Sequence, residues 1–88
     1  METEEWNEQF SIYPVPASNE VFFHFEGTDQ GLATISIYDQ LGRKMYFDQI
    51  KLLENQTERI DISAWQKGFY YAKIISGDKQ YVSTFIKL

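Results

Sequence analysis

The chain has 88 residues, of which 43% are hydrophobic and 17% aromatic, with no cysteine and a formal net charge of −5. This length suits one hydrophobic core, and the apolar content argues against intrinsic disorder. The acidic balance makes nucleic acid a poor partner, and the lack of cysteine excludes disulfides, thiolate nucleophiles and zinc–sulfur sites. We expect one soluble domain without a cofactor.

The first eight residues are acidic, with Trp6 as their apolar anchor. We interpret 1–8 as a linker or an artificial chain end, and 9–88 as the folded domain. Acidic residues follow Met1 where a secretory signal would carry positive charge and an apolar run. Export would therefore require a signal on a preceding part of a longer protein.

From Phe10 onwards, short β-branched and aromatic runs alternate with Gly, Pro, Asn and Asp, which predicts an all-β sandwich of seven antiparallel strands. The first strand is edge-like, because Pro14 and Pro16 cannot donate ladder hydrogen bonds. A polar stretch, 54–58, separates the fourth and fifth strands. The predicted strands lie near 10–13, 21–25, 34–38, 43–50, 60–62, 69–75 and 80–87.

Two glycine turns and one apolar run refine this prediction. Gly42 suits the positive φ of a short hairpin loop, and Gly77-Asp78 suits a two-residue hairpin turn. The run 69–75 is apolar on both faces and is expected at the centre of a sheet. Period-two alternation predicts a core of Val21, Phe23, Ile35, Ile37, Phe47, Ile60, Ile62, Tyr70 and Ile74.

Five segments, which we call the sorting motifs, occur in series along the chain. They are Tyr13-Pro14-Val15-Pro16-Ala17-Ser18, Ile37-Tyr38-Asp39-Gln40-Leu41-Gly42-Arg43-Lys44, Ile60-Asp61-Ile62-Ser63, Gly68-Phe69-Tyr70 and Phe85-Ile86-Lys87-Leu88. In order and spacing the chain resembles the C-terminal sorting domain of type IX secretion (Por secretion system) cargo. The resemblance implies an immunoglobulin-like sandwich that is exported with its cargo and commonly removed by a sortase-like cysteine protease during attachment to surface lipopolysaccharide.

The same resemblance implies partners and a destination. The partners would be an outer-membrane shuttle protein, a surface sortase and an N-terminal cargo domain. The destination would be the cell surface or medium of a Gram-negative bacterium, reached through the periplasm and outer membrane. Self-association through the first or last strand is also expected, because sandwich edges leave backbone groups unpaired.

Five residues are candidates for recognition by the export machinery: Pro14, Pro16, Gly68, Tyr70 and Lys87. A structural interpretation competes for three of them. Gly68 can supply positive φ, Tyr70 can bury its ring while its hydroxyl meets a backbone group, and Lys87 can be a solvated charge at an edge. The chain departs from the family pattern at Val15 and at Trp65-Gln66-Lys67, which bears on recognition contacts more than on the fold.

No residue pattern predicts catalysis. His24 is expected to be half-buried with one hydrogen bond, and the acids Glu54, Glu58 and Asp61 are expected to solvate a surface. We therefore predict that the chain is not an enzyme. The aromatic excess leaves a carbohydrate-binding or adhesive module as the alternative function, and a purely structural module as a third.

Overall fold

The computed structural model describes residues 10–25, 31–52 and 56–88. The expected linker 1–8, Trp6, Glu54 and most of the predicted 27–31 loop lie outside these residues. The strands are β1 (Phe10–Tyr13), β2 (Glu20–Phe25), β3 (Gly31–Asp39), β4 (Lys44–Leu52), β5 (Gln56–Asp61), β6 (Gly68–Ser76) and β7 (Lys79–Lys87). Among the described residues, no helix is long and apolar enough to cross a membrane.

The seven strands form two antiparallel sheets, as the sequence predicts. One sheet has the order β1-β2-β5 and the other the order β4-β3-β6-β7. The prediction of a central sixth strand is confirmed, since β6 lies between β3 and β7, and β1 is an edge strand. Ser76 pairs with Lys79 across the two-residue turn, in which Gly77 has φ 63°.

The core lies between the two sheets and is aromatic at both ends. At one end Phe10 stacks on Phe25 and on Tyr81, with ring centroids 5.5 and 6.4 Å apart. At the other end Tyr70 stacks on Phe85 at 5.6 Å. Eight of the nine predicted core residues are buried, and they contribute to the apolar burial that drives folding.

The prediction that Phe47 belongs to the core is wrong. Its side chain is 56% exposed on the outer side of the four-stranded sheet. The cause is a β-bulge: Ile37 pairs with Tyr46 whereas Tyr38 pairs with Lys44, so Met45 has no partner opposite it. An extra residue shifts the alternation by one. Beyond the bulge the even-numbered residues face inward, and Ile50 and Leu52 take the buried positions.

The polar stretch 54–58 is also not simply a loop. Its described part, Gln56 to Glu58, belongs to β5 and pairs with Phe25, His24 and Phe23 of β2. An edge strand tolerates polar residues because one side of it meets solvent. Ile62, which was predicted inside this strand, lies just after it and is fully buried.

Candidate functional site

The loop between β3 and β4 is organised around one buried carboxylate. Asp39 Oδ1 accepts hydrogen bonds from the backbone N–H of Leu41 (2.9 Å) and of Arg43 (2.8 Å), and Oδ2 accepts one from Arg43 Nε at 2.7 Å. Gly42 completes the turn with φ 85°. Burial acts to raise the pKa of Asp39, but the hydrogen bonds from Arg43 and Leu41, together with the charge of Arg43, outweigh it and hold the pKa below its ordinary value.

Tyr70 lies directly opposite Asp39 and joins this loop to the core. Its ring is buried between Phe85, at 5.6 Å, and Trp65, at 5.1 Å, and its hydroxyl donates to the carbonyl of Gln66. Burial raises the pKa of Tyr70, and the charge of Asp39 adds to the effect. The structural interpretation of this tyrosine, a buried ring with a backbone-bonded hydroxyl, is confirmed.

Gly68 begins β6 two residues earlier, with φ 150°. A Cβ added there would come no closer than 3.9 Å to a neighbouring atom, the side-chain oxygen of Gln40. The backbone conformation, and not lack of space, therefore explains the glycine. This confirms the expected positive φ.

The chain between β1 and β2 pairs with the end of β7, some seventy residues later. Ala17 N–H donates to the carbonyl of Ile86, and Leu88 N–H donates to the carbonyl of Ala17, both at 2.8 Å. These bonds form a parallel bridge between Ala17 and Lys87, and Lys87 in turn pairs with Gly68 of β6. The first, fourth and fifth sorting motifs thus meet in adjacent positions.

The third motif closes the same end of the sandwich. Ile62 N–H donates to the carbonyl of Asn19 at 2.9 Å, and Trp65 N–H donates to the carbonyl of Ile62 at 3.0 Å. Asp61 accepts a hydrogen bond from Ser63 N–H at 2.9 Å, and the bonds from Ser63 lower the pKa of Asp61. Motifs scattered from residue 13 to residue 88 therefore converge on one end, which we call the motif pole.

The motif pole contains a shallow cavity of about 180 Å³. Leu41, Trp65 and Phe69 provide apolar walls, and Arg43 and Lys67 provide cations. Leu41 is 74% exposed at the tip of its loop, so an approaching partner would meet it early. The cavity has the chemistry of a small docking pocket for an apolar or acidic side chain.

The five predicted recognition residues all lie near this pole, but they differ in exposure. Pro14 and Pro16 are exposed in the β1–β2 connection, where both are preceded by cis peptide bonds. Tyr70 is buried. Lys87 was expected to remain exposed near the sheet edge, and this is wrong: it is only 8% exposed, and its Nζ donates to the Leu88 carbonyl at 3.1 Å.

The burial of Lys87 has a simple cause. Residues two apart in a strand share a face, so Lys87 lies on the same face of β7 as the core residue Phe85. Pairing of Ala17 along the outer edge of β7 then covers this end of the strand. Ile86, on the opposite face of β7, is exposed at 46%, and the terminal Leu88 is exposed at 63%.

The sequence analysis did not select Asp39, Arg43 and Trp65 as site residues. Asp39 and Arg43 lie within the second motif. The position of Asp39, three residues before a turn glycine, is typical of an aspartate that accepts hydrogen bonds from the turn backbone, and this signal could have identified it. Trp65 was noted as part of a departure from the family pattern, and the structure shows that it is partly buried against the core. No sequence signal showed that it would pack on Tyr70.

In the described part of the chain, no three His, Cys, Asp or Glu side chains are grouped so that they could hold a metal ion. His24 is half-buried and bonds through Nδ1 to the Thr57 hydroxyl at 2.7 Å, as expected. The fold and the motif pole therefore define a small β-sandwich with a shallow cavity at one end.

Residues 11–88 match the family model described as the secretion system C-terminal sorting domain. The chain belongs to this family, whose members act as sorting signals in the type IX secretion of cargo proteins, and which is not an enzyme family. Its role is export of a cargo to the cell surface or out of the cell, which involves the secretion machinery. A search of curated proteins found no match.

Proposed function

We propose that the motif pole is the surface by which the type IX machinery recognises this sorting domain. Residues 1–8 would form the linker from an N-terminal cargo domain, and 9–88 the signal. An outer-membrane shuttle protein and a surface sortase would be the direct partners. The route would run through the periplasm and across the outer membrane of a Gram-negative bacterium.

One observation carries this proposal: five motifs far apart in sequence meet at a single end of the sandwich. Folding stability alone does not require the motifs to gather at one end, because the hydrophobic core extends along the full length of both sheets. The pole also combines exposed groups with a rigid support. Pro14, Pro16 and Leu41 are exposed, whereas Tyr70, which lines the same cavity as Leu41, is buried.

The five recognition candidates would then have two kinds of role. Pro14 and Pro16 would contact the partner directly. Gly68, Tyr70 and Lys87 would act mainly by holding the β3–β4 loop, the start of β6 and the end of β7 in position. Replacing a buried member of this second group would therefore disturb recognition through the shape of the pole.

An export assay with matched leucine variants tests the proposal. A reporter is fused upstream of the full chain and expressed in a type IX-competent host. Leu41→Glu changes an exposed leucine at the pole, and Leu32→Glu makes the same change at a 60% exposed leucine near the other end of β3. Both should fold, because neither side chain is in the core.

We expect the Leu41→Glu fusion to accumulate in the periplasm and the Leu32→Glu fusion to reach the surface like the unaltered chain. Efficient export of both variants would rule out the pole around Leu41 as the recognition surface. Failure of both would assign recognition to a wider area of the domain.

We also propose weak self-association through an exposed edge, β1 or β7. Each of these strands lies at one end of the strand order of its sheet, and an end strand is the place where another chain can add by pairing. Light scattering over a concentration series should show a dimer at high concentration. A constant monomer mass would refute it.

A further inference from the structure

The outward side of the four-stranded sheet is unusually apolar. We call it the outer face; its exposed large residues are Leu32, Phe47, Phe69, Ile75, Val82 and Ile86, each between 39% and 60% exposed. Strand register pairs Phe69 with Ile86 near one end of this face, and across its middle Ser36 and Lys73 lie between Phe47 and Val82, so the apolar side chains are interspersed with polar ones. An antiparallel sheet with one solvated face ordinarily presents polar residues there, and six exposed large apolar side chains on one face indicate an interaction surface.

The charges on the outer face are all positive. Lys44, Lys51 and Lys73 occupy outward positions on β4 and β6, and the described strand residues that face outward include no Asp or Glu. This contrasts with the whole chain, in which 13 acids outnumber 8 lysines and arginines. The outer face is therefore complementary to an acidic partner.

The aromatic groups of the outer face are held in place before any partner arrives. Tyr38 and Tyr71 stack with ring centroids 5.4 Å apart. Lys44 Nζ lies 5.0 Å from the Phe47 ring centroid and 5.9 Å from that of Tyr38. Rigid aromatic side chains lose little conformational entropy on binding, which suits them as interface anchors.

We propose that the outer face docks a protein surface on which apolar side chains are interspersed with Asp or Glu. A second copy using the same face fits poorly, because lysines would then face lysines. An anionic membrane fits poorly too, since three lysines are fewer than polybasic lipid sites use and the net charge of −5 is repelled. The outer face overlaps the motif pole at Phe69 and Ile86, and its Tyr38 and Lys44 belong to the second sorting motif, whereas Leu32, Phe47, Ile75 and Val82 lie outside the motifs.

The test uses two synthetic peptides with alternating residues, one of phenylalanine and glutamate and one of phenylalanine and lysine. Each is titrated into the full 88-residue chain, and binding is followed by NMR amide shifts and calorimetry. We expect the acidic peptide to bind and to shift the amides of the outer face. The basic peptide should bind at least about tenfold more weakly, the ratio expected when lysines meet lysines.

Two variants establish which residues are responsible. Phe47→Ser should weaken binding of the acidic peptide about tenfold, as loss of an interface anchor does. The matched control Tyr13→Ser, which removes a 44% exposed aromatic from the other sheet, should leave binding unchanged. Leu41→Glu, at the pole, should also leave it unchanged, so this test is independent of the export proposal.

Equal binding of the two peptides, or shifts confined to the other sheet, would overturn the proposal. So would binding to vesicles of anionic lipid without binding to the acidic peptide. A concentration-dependent dimer lost in Phe47→Ser would identify a second copy as the occupant instead. Tighter peptide binding after Glu4, Glu5 and Glu8 are changed to Gln would identify the acidic residues 1–8 as the occupant.

Discussion

Replacing Phe85 with alanine should lower the free energy of unfolding by about 4 kcal/mol. The side chain is 1% exposed, and deleting a buried phenylalanine ring costs roughly 3–5 kcal/mol. Stacking on Tyr70 at 5.6 Å favours the upper part of that range. A domain of this size has a total stability of roughly 4–13 kcal/mol, so this one substitution removes a third of it or more.

The matched control is the next residue, Ile86→Ala. Ile86 is 46% exposed on the opposite face, and its loss should cost about 1 kcal/mol or less. Urea titration followed by tryptophan fluorescence measures both variants in a Trp6→Phe background, where Trp65 reports on the ring of Tyr70 5.1 Å away. The midpoint should fall with an unchanged slope. Equal costs for the two variants would refute the assignment of Phe85, and not Ile86, to the core.

The large stability cost of losing Phe85 affects how an export defect in a C-terminal truncation is interpreted. We expect deletion of residues 85–88 to leave an upstream reporter in the periplasm. Because Phe85 belongs to the core, such a loss of export would first reflect unfolding of the signal. Lys87→Ala is also more than a surface change, since Lys87 is 8% exposed, so its stability must be measured beside its export.

Three further predictions concern the motif pole. Tyr70→Phe should cost about 1 kcal/mol through the lost bond to a backbone carbonyl, and Tyr71→Phe close to nothing, both by urea titration; equal effects would contradict that bond. The pKa of Asp39 is lowered in the folded state, so as the pH falls the unfolded chain takes up a proton at this carboxyl first. The ionised carboxylate therefore contributes to folding stability above its unfolded pKa, and this contribution is lost as the pH falls through the folded pKa. In thermal melts at decreasing pH, the melting temperature of Asp39→Asn should fall less than that of the unaltered chain. An equal fall in both would count against a stabilising role for the Asp39 carboxylate. Gly68→Ala should cost roughly 1–3 kcal/mol in urea, from backbone strain at φ 150°, and a neutral result would argue against that conformation.

Local patterns were enough to predict the strands and most of the core. Side-chain direction in a strand alternates with a period of two, so Val21, Phe23, Ile35 and Ile37 could be assigned to the interior from spacing alone. The turn at Gly77 was equally local, because its backbone conformation favours glycine. The alternation failed at Phe47, where a bulge shifted the register by one, and nothing in the apolar pattern marked that bulge.

The motif pole depends on contacts between residues that are distant in sequence. The spacing of the sorting motifs identified a family resemblance, but it did not show that Ala17 would pair with Lys87, or that Trp65 would pack against Tyr70. Such contacts follow from how the two sheets align, and that alignment is set by packing across the whole core. The sequence by itself therefore determined the number and order of the strands, the glycine turns and the family, whereas only the tertiary structure decided that β5 begins at Gln56, that Lys87 is buried, that Phe47 is exposed and that the motifs share one surface.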